Sequence, residues 1–241
     1  MTKHLKNLFA CMILLSIGLP LAIAQSGTYY TVQDFQFWSA VELKYKASKK
    51  LSLTLEQQLR LRDDASNVDI YFTELGLGYK IDKHFGLGLN GRFIRDNDDQ
   101  GKIQGYENHF RWNIDGSYKH DIKRLDLKYR LRFQSKNEMG LAADQQEPAT
   151  STARLKVGAD YNFKSWKLDP EFSTEIFDQL GSDDQFDKIR FTLGTTYQTK
   201  SYGDFSAFFR MEKELKSLYP KTTNIVGFKY RYTLKRKKNE K

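Results

Sequence analysis

The sharpest local motif is an acidic stretch at residues 96–107, DNDDQGKIQGYE. Its spacing is that of a calcium-binding loop, which takes ligands at positions 1, 3, 5 and 12 and glycine at position 6. A solvated acidic hairpin tip explains the same residues without a metal, and the strand-like flanks favour that alternative. We therefore assign no metal site and keep a weak calcium-loop candidate, whose ligands would be Asp96, Asp98, Gln100 and Glu107.

Histidine chemistry has one candidate position. His109 has Glu107 and Arg111 two residues away on either side, so a β-strand would place all three on one face. A nucleophile–histidine–acid site also needs a serine in reach, and no local motif supplies one. A hydrolase acting on membrane lipid would moreover have to face lipid, whereas His109 is predicted to face inward. The sequence predicts no catalytic residue and no cofactor, with a lipid-modifying enzyme as the lesser alternative.

The first 24 residues have the features of a cleavable secretory signal peptide. Lys3 and Lys6 precede an apolar run at residues 8–21, which ends in the small-residue pattern of residues 22–24. Its removal takes away Cys11, so the mature chain has no cysteine for a disulfide, a thiol nucleophile or a metal. The predicted organisation is a signal peptide at 1–24, a barrel at 25–234 and a basic tail at 235–241.

A two-residue period dominates the remaining chain. In residues 125–134, LDLKYRLRFQ, apolar and polar side chains alternate, and residues 51–62, 188–197 and 226–233 repeat the pattern. Crossing a bilayer takes about 9–11 residues of tilted strand, whereas globular strands have a mode of about 5–6. Segments of this length therefore favour membrane-spanning strands, and eleven are counted, at roughly 35–46, 51–62, 69–80, 84–95, 105–119, 125–136, 151–162, 166–177, 188–199, 203–214 and 222–234.

The links between these segments alternate between short and longer ones, as in bacterial outer-membrane barrels. Aromatic residues collect near both ends of the apolar strand faces, where interfacial girdles are expected. The predicted fold is therefore all-β, a single antiparallel transmembrane β-barrel. Its plausible range is 10–12 strands, and twelve is preferred because single-chain bacterial barrels have even strand numbers. Residues 28–32 are a candidate for the additional strand.

The start of the mature chain resembles a known family. The segments at residues 37–45, FWSAVELKY, and 51–60, LSLTLEQQLR, resemble the exported family filed as domain of unknown function 2490. The likeness covers essentially the whole mature chain. It implies a barrel in the outer membrane of Gram-negative bacteria, and it implies no functional residues.

If the apolar face meets lipid, the opposite face lines the lumen. Strand parity places fifteen basic and ten acidic residues there, and a basic lumen lowers the electrostatic barrier for anions. The predicted function is a small, passive, porin-like channel that favours anionic solutes. The alternative is a filled structural or surface-interaction barrel, in which arginines and carboxylates pair across strands. The predicted partners are outer-membrane lipid and small anionic solutes, not nucleic acid, and no oligomeric state is predicted. Twelve of the fifteen basic residues are taken as the candidate lumen-lining site: Arg60, Arg62, Arg92, Arg111, Arg130, Arg132, Arg154, Lys156, Arg190, Arg210, Lys229 and Arg231.

Overall fold

The computed structural model describes residues 32–98, 105–140, 148–164, 166–181, 186–199 and 201–236. The predicted signal peptide and the end of the basic tail lie outside these ranges. No helix in the described ranges is long and apolar enough to cross a bilayer. The described residues form eleven β-strands: β1 (Gln33–Lys46), β2 (Leu51–Arg62), β3 (Asn67–Lys80), β4 (Phe85–Asp98), β5 (Gly105–Ile122), β6 (Leu125–Met139), β7 (Thr150–Tyr161), β8 (Leu168–Leu180), β9 (Lys188–Gln198), β10 (Asp204–Glu214) and β11 (Thr222–Lys235).

The eleven strands close into one barrel. Each strand pairs antiparallel with its neighbours in the chain, except at the closure, where β11 pairs parallel with β1. This pairing runs the whole length of both strands, from Gln33 opposite Thr222 to Lys46 opposite Lys235. The prediction of a single all-β barrel is confirmed.

The parallel closure explains the odd strand number. The preference for twelve strands assumed that every neighbouring pair is antiparallel, and one parallel pair lets an odd number of strands close. The eleven strands therefore need no additional strand. Residues 28–31 of the candidate extra strand lie outside the described ranges, and Val32 is not part of a strand, although its carbonyl accepts a hydrogen bond from the Thr222 N–H at 2.8 Å.

The strands expose their apolar side chains and enclose their charged ones. In β6, Leu131 is 62% exposed, whereas the next residue, Arg132, is 8% exposed. In β9, Leu193 is 57% exposed. A soluble sandwich would bury these leucines, so the outer surface of this barrel is apolar where water would favour polar groups.

The two ends of the barrel differ in their links. At the short-link end the connections are residues 47–50, 81–84, 123–124, 162–167 and 199–203, and at the long-link end they are 63–66, 99–104, 140–149, 181–187 and 215–221. The predicted link at 120–124 is reduced to two residues because β5 extends to Ile122. The predicted link at 63–68 is reduced to four because β3 begins at Asn67.

One short link is organised by a single carboxylate. Asp82 Oδ1 accepts the backbone N–H of Phe85 at 2.7 Å and that of His84 at 2.6 Å. These two donors, Phe85 first, hold the pKa of the Asp82 carboxyl below its usual value because they stabilise its ionised form.

Aromatic side chains on the outer surface collect toward both ends of the strands. At the short-link end, the Phe85 and Tyr118 ring centroids lie 4.8 Å apart, and Trp166 is 62% exposed. At the long-link end, Tyr71 and Tyr106 lie 6.3 Å apart. This two-ended arrangement has the form of the interfacial girdles of membrane barrels.

Candidate functional site in the barrel interior

The twelve basic residues predicted to line the lumen all lie on the inner face of the barrel. Their strands alternate between exposed apolar and less exposed polar positions, and these side chains occupy the second set. Their ion pairs join neighbouring strands and also strands that are not adjacent, for example β6 and β8 through Arg130 and Glu175 at 2.7 Å. The arrangement divides into two ion-paired clusters, the first balanced and the second with one extra cation, and one sector with a larger excess of positive charge.

The first, balanced cluster lies beside the β1–β11 closure. Glu42 of β1 accepts a hydrogen bond from Arg231 Nε at 2.6 Å and also binds Lys229. Lys229 reaches across β1 to Glu56 of β2 at 2.5 Å. These contacts tie the parallel pair together from inside.

The second cluster, with three cations and two carboxylates, lies across β3 to β6. Arg92 donates through Nε to Glu74 at 2.7 Å, and Arg111 approaches the same carboxylate at 3.6 Å. Arg132 forms a bidentate pair with Asp115 through bonds of 2.6 and 2.7 Å. Such two-pronged contacts fix geometry as well as charge.

A β-bulge adds one further pair at the long-link end. The register of β2 and β3 shifts between Arg60 and Leu61. Beyond this shift, Arg62 lies 3.6 Å from Asp69.

The remaining cations form what we call the basic sector. Its members are those whose strongest carboxylate interactions in the described part of the chain are all with Glu175 or Glu212. Glu175 binds three guanidinium groups at 2.7 to 3.2 Å, and Glu212 binds Arg190 at 2.6 Å and Lys188 at 3.4 Å. Two carboxylates are thus the main counter-charges of seven cations, namely Arg60, Arg130, Arg154, Lys156, Lys188, Arg190 and Arg210.

Several inward arginines stack against aromatic rings inside the barrel. The Arg92 guanidinium carbon lies 3.4 Å from the Phe72 ring centroid. Arg154 and Arg190 lie 4.3 and 4.6 Å from the Phe177 ring. Stacking of a guanidinium on a ring face is attractive and strengthens when water is excluded.

A glycine makes room for one of these rings. Phe208 of β10 lies against Gly227 of β11, and a Cβ at that position would overlap the ring. The Arg210 guanidinium carbon then lies 4.6 Å from the Phe208 ring centroid. The glycine therefore permits an inward aromatic ring beside the parallel closure.

The model of the protein family of unknown function DUF2490 matches residues 35–213, which is most of the barrel. The chain belongs to this family. No curated protein matches the chain, and no solved structure does. The resemblance found in the first strands therefore holds for β1 to β10.

The inner face of this DUF2490 protein carries more carboxylates than strand parity predicted. The structure places further acidic residues on the inner face and adds Lys136, which binds Asp96 at 3.0 Å. The inner face is thus closer to electrical neutrality than the predicted ratio of fifteen basic to ten acidic residues suggests. The positive excess is local. Parity could have found Asp115, whereas Asp34, Asp96 and Glu138 lie just beyond the predicted ends of their segments, and the bulge displaces Asp69.

The inward aromatic residues were also missed. Trp38 shares the parity of Glu42, so its inward position follows from the same alternation. Phe72, Phe177 and Phe208 likewise occupy inward positions, and Phe72 is only 1% exposed. These aromatic residues of the DUF2490 protein depart from the rule that apolar side chains face outward. Each of their rings stacks against an inward arginine.

The calcium-loop candidate is only partly described. Asp96 and Glu107 lie directly opposite each other on β4 and β5, which brings two of the four proposed ligands together. Gln100 and the side chain of Asp98 lie outside the described residues. Within the described part of the chain, no group of three His, Cys, Asp or Glu residues could hold a metal ion.

His109 lies inside the barrel toward the long-link end. Its Nε2 is 3.4 Å from Glu107 Oε2, and it pairs across the sheet with Glu138. This histidine is buried among inner-face residues, so its imidazole faces the lumen rather than the apolar outer surface.

Proposed function

We propose that this protein is an integral outer-membrane β-barrel that is exported by its N-terminal signal peptide and admits small anions passively through a constricted lumen. The observation that carries the proposal is the basic sector, in which seven inward cations share two carboxylates. Rings of arginine and lysine suit anion passage because they lower the electrostatic barrier inside a low-dielectric wall.

The outer surface supports the membrane part of the proposal. Leucine and phenylalanine side chains around the barrel are exposed, and aromatic residues flank this apolar belt at both ends. Strands of 11 to 18 residues are long enough to span a hydrocarbon core at the usual tilt. A hydrocarbon environment is what such a surface requires.

A second candidate is a filled structural barrel. Phe72, Asn113 and Ile225 are almost completely buried on the inner face. Ion pairs and Arg–aromatic contacts also cross between strands, and a small barrel of about eight strands is simply filled by its side chains. Eleven strands lie nearer to that size than to the 16–18 of open porins.

Planar-bilayer conductance distinguishes the two candidates. The purified full-length protein is expected to give small single-channel currents with an anion-to-cation permeability ratio above unity in a potassium chloride gradient. Replacing Lys156 with Glu is expected to lower that ratio because it reverses one charge of the basic sector.

The matched control is Lys44→Glu on β1, whose lysine also faces inward but lies outside the basic sector. This change is expected to alter the ratio less than Lys156→Glu. Absence of any current would favour the filled barrel, and a ratio at or below unity would contradict anion preference.

A further inference from the structure

Two guanidinium groups share one aromatic ring inside the barrel. The Arg60 guanidinium carbon lies 3.7 Å from the Trp38 ring centroid, and that of Arg210 lies 4.9 Å from the same centroid. Trp38 reaches both because it is directly opposite Arg60 on β2, and only β11 separates β1 from β10. The two cations therefore lie beside the same ring and repel each other.

Neither cation forms an ion pair with a carboxylate in the described part of the chain. Their strongest acidic neighbour is Glu212, which already binds Arg190 and Lys188. Arg210 donates through Nε to the Thr192 hydroxyl at 3.1 Å. The interior of a barrel is a costly place for charges that lack a counterion.

The Arg60 guanidinium also has an unused donor. Its Nε is buried and has no hydrogen-bond partner among the described residues, and its terminal nitrogen makes only a long bond of 3.4 Å to Gln58 there. A buried N–H without an acceptor is uncommon in folded proteins. An anion would supply both an acceptor for this donor and a counter-charge for the two cations.

Water can reach both guanidinium side chains. The strands surround Arg60 and Arg210, yet both side chains keep part of their surface accessible to water. Two guanidinium groups present several N–H donors in planar forks, a geometry that matches pairs of oxygen atoms rather than a single halide. Lys156 adds positive charge on the Arg210 side.

We propose that Arg60 and Arg210 form a binding site for a compact oxyanion of the class of inorganic phosphate, inside the lumen beside Trp38. The site lies inside the lumen rather than on the outer surface, so a free oxyanion fits it and a lipid headgroup does not. The proposal requires access from water but no ion flow, and it therefore holds for a conducting or a non-conducting barrel.

The test is titration of the purified full-length protein in detergent with inorganic phosphate at constant pH and ionic strength. Isothermal calorimetry is expected to show saturable binding to the wild type, and the unfolding temperature is expected to rise with phosphate. Arg210→Gln is expected to weaken binding by about tenfold or more, because it removes charge-assisted hydrogen bonds. Arg210→Lys keeps the charge but loses the fork, so its binding is expected to lie between the two.

The matched control is Arg231→Gln, because Arg231 also faces the lumen but is paired with Glu42. Its phosphate affinity is expected to stay close to that of the wild type. The unboiled protein must migrate as a folded barrel on a gel for each variant compared. If Arg210→Gln does not fold, Arg210→Lys against Arg231→Gln makes the same comparison.

Four results would overturn the site. They are no saturable phosphate binding, equal losses in the Arg210 and Arg231 variants, chloride binding as strong as phosphate binding, and competition by short-chain phosphatidylglycerol. Phosphate binding without conductance would contradict the channel and leave the site intact. Conductance without phosphate binding would contradict the site and leave the channel intact.

Discussion

Replacing Glu175 with Gln is expected to lower the free energy of unfolding by about 3–5 kcal/mol, the usual cost of removing one partner from a buried ion pair. Glu175 is only 3% exposed and binds the guanidinium groups of Arg130, Arg154 and Arg190. Its neutralisation would leave Glu212 as the principal counter-charge of the basic sector. Glutamine keeps the shape of the side chain, so the effect measures charge rather than volume.

The measurement is urea unfolding in lipid vesicles, followed by tryptophan fluorescence. Glu171→Gln is the matched control, since Glu171 lies on the same face of β8 and accepts a hydrogen bond from the Thr196 hydroxyl at 2.8 Å. Its loss is expected to cost about 1 kcal/mol or less. Equal costs for the two variants would mean that Glu175 does not hold the basic sector together.

Replacing Leu131 with Arg is expected to cost about 2–4 kcal/mol, the cost of an arginine on the lipid face near the bilayer midplane. Leu131 lies near the middle of β6 and is 62% exposed. In water, a charge at so exposed a position would change stability by only about 0.5 kcal/mol. The size of the effect therefore reports the solvent outside the barrel.

The same unfolding assay compares Leu131→Arg with Leu218→Arg. Leu218 is 92% exposed and lies in the long link at residues 215–221, beyond the strands. The Leu218 change is expected to be close to neutral. If Leu131→Arg were as mild as Leu218→Arg, the outer face of β6 would not lie in hydrocarbon.

The two-residue period predicted the eleven strands and which face of each carries most of the charged side chains. In β6 the alternation of Leu131 and Arg132 predicts which side chain is exposed, because successive side chains of a strand point to opposite sides. The inner face and the outer face of a barrel strand also lie in different surroundings along its whole length. The pattern is therefore strong even though no single segment is apolar throughout.

The closure of the barrel could not be predicted in the same way. Pairing of Gln33 with Thr222 joins the two ends of the chain, and no local pattern encodes a partner so distant. The assumption of an even strand number then favoured a twelfth strand. The bulge between Arg60 and Leu61 was hidden for a related reason, since an extra residue on β3 changes parity without changing composition.

The candidate site was predictable as a set of residues but not as an arrangement. Parity identified Arg60 and Arg210 as inward, yet it could not show that both lie at the Trp38 ring or that Asp115 neutralises Arg132. Which cation is paired depends on contacts between strands far apart in the chain. The local positive excess emerged only from those contacts.

We propose that the exposed apolar belt of this barrel lies in the outer membrane. The most direct test is density fractionation of the expressing bacterium, followed by a urea wash of the membranes and gel electrophoresis with and without boiling. We expect the protein in the outer-membrane fraction, resistant to urea, released by detergent and shifted in mobility by heating. Recovery of the mature chain as a monomer from the periplasm without detergent would contradict the claim.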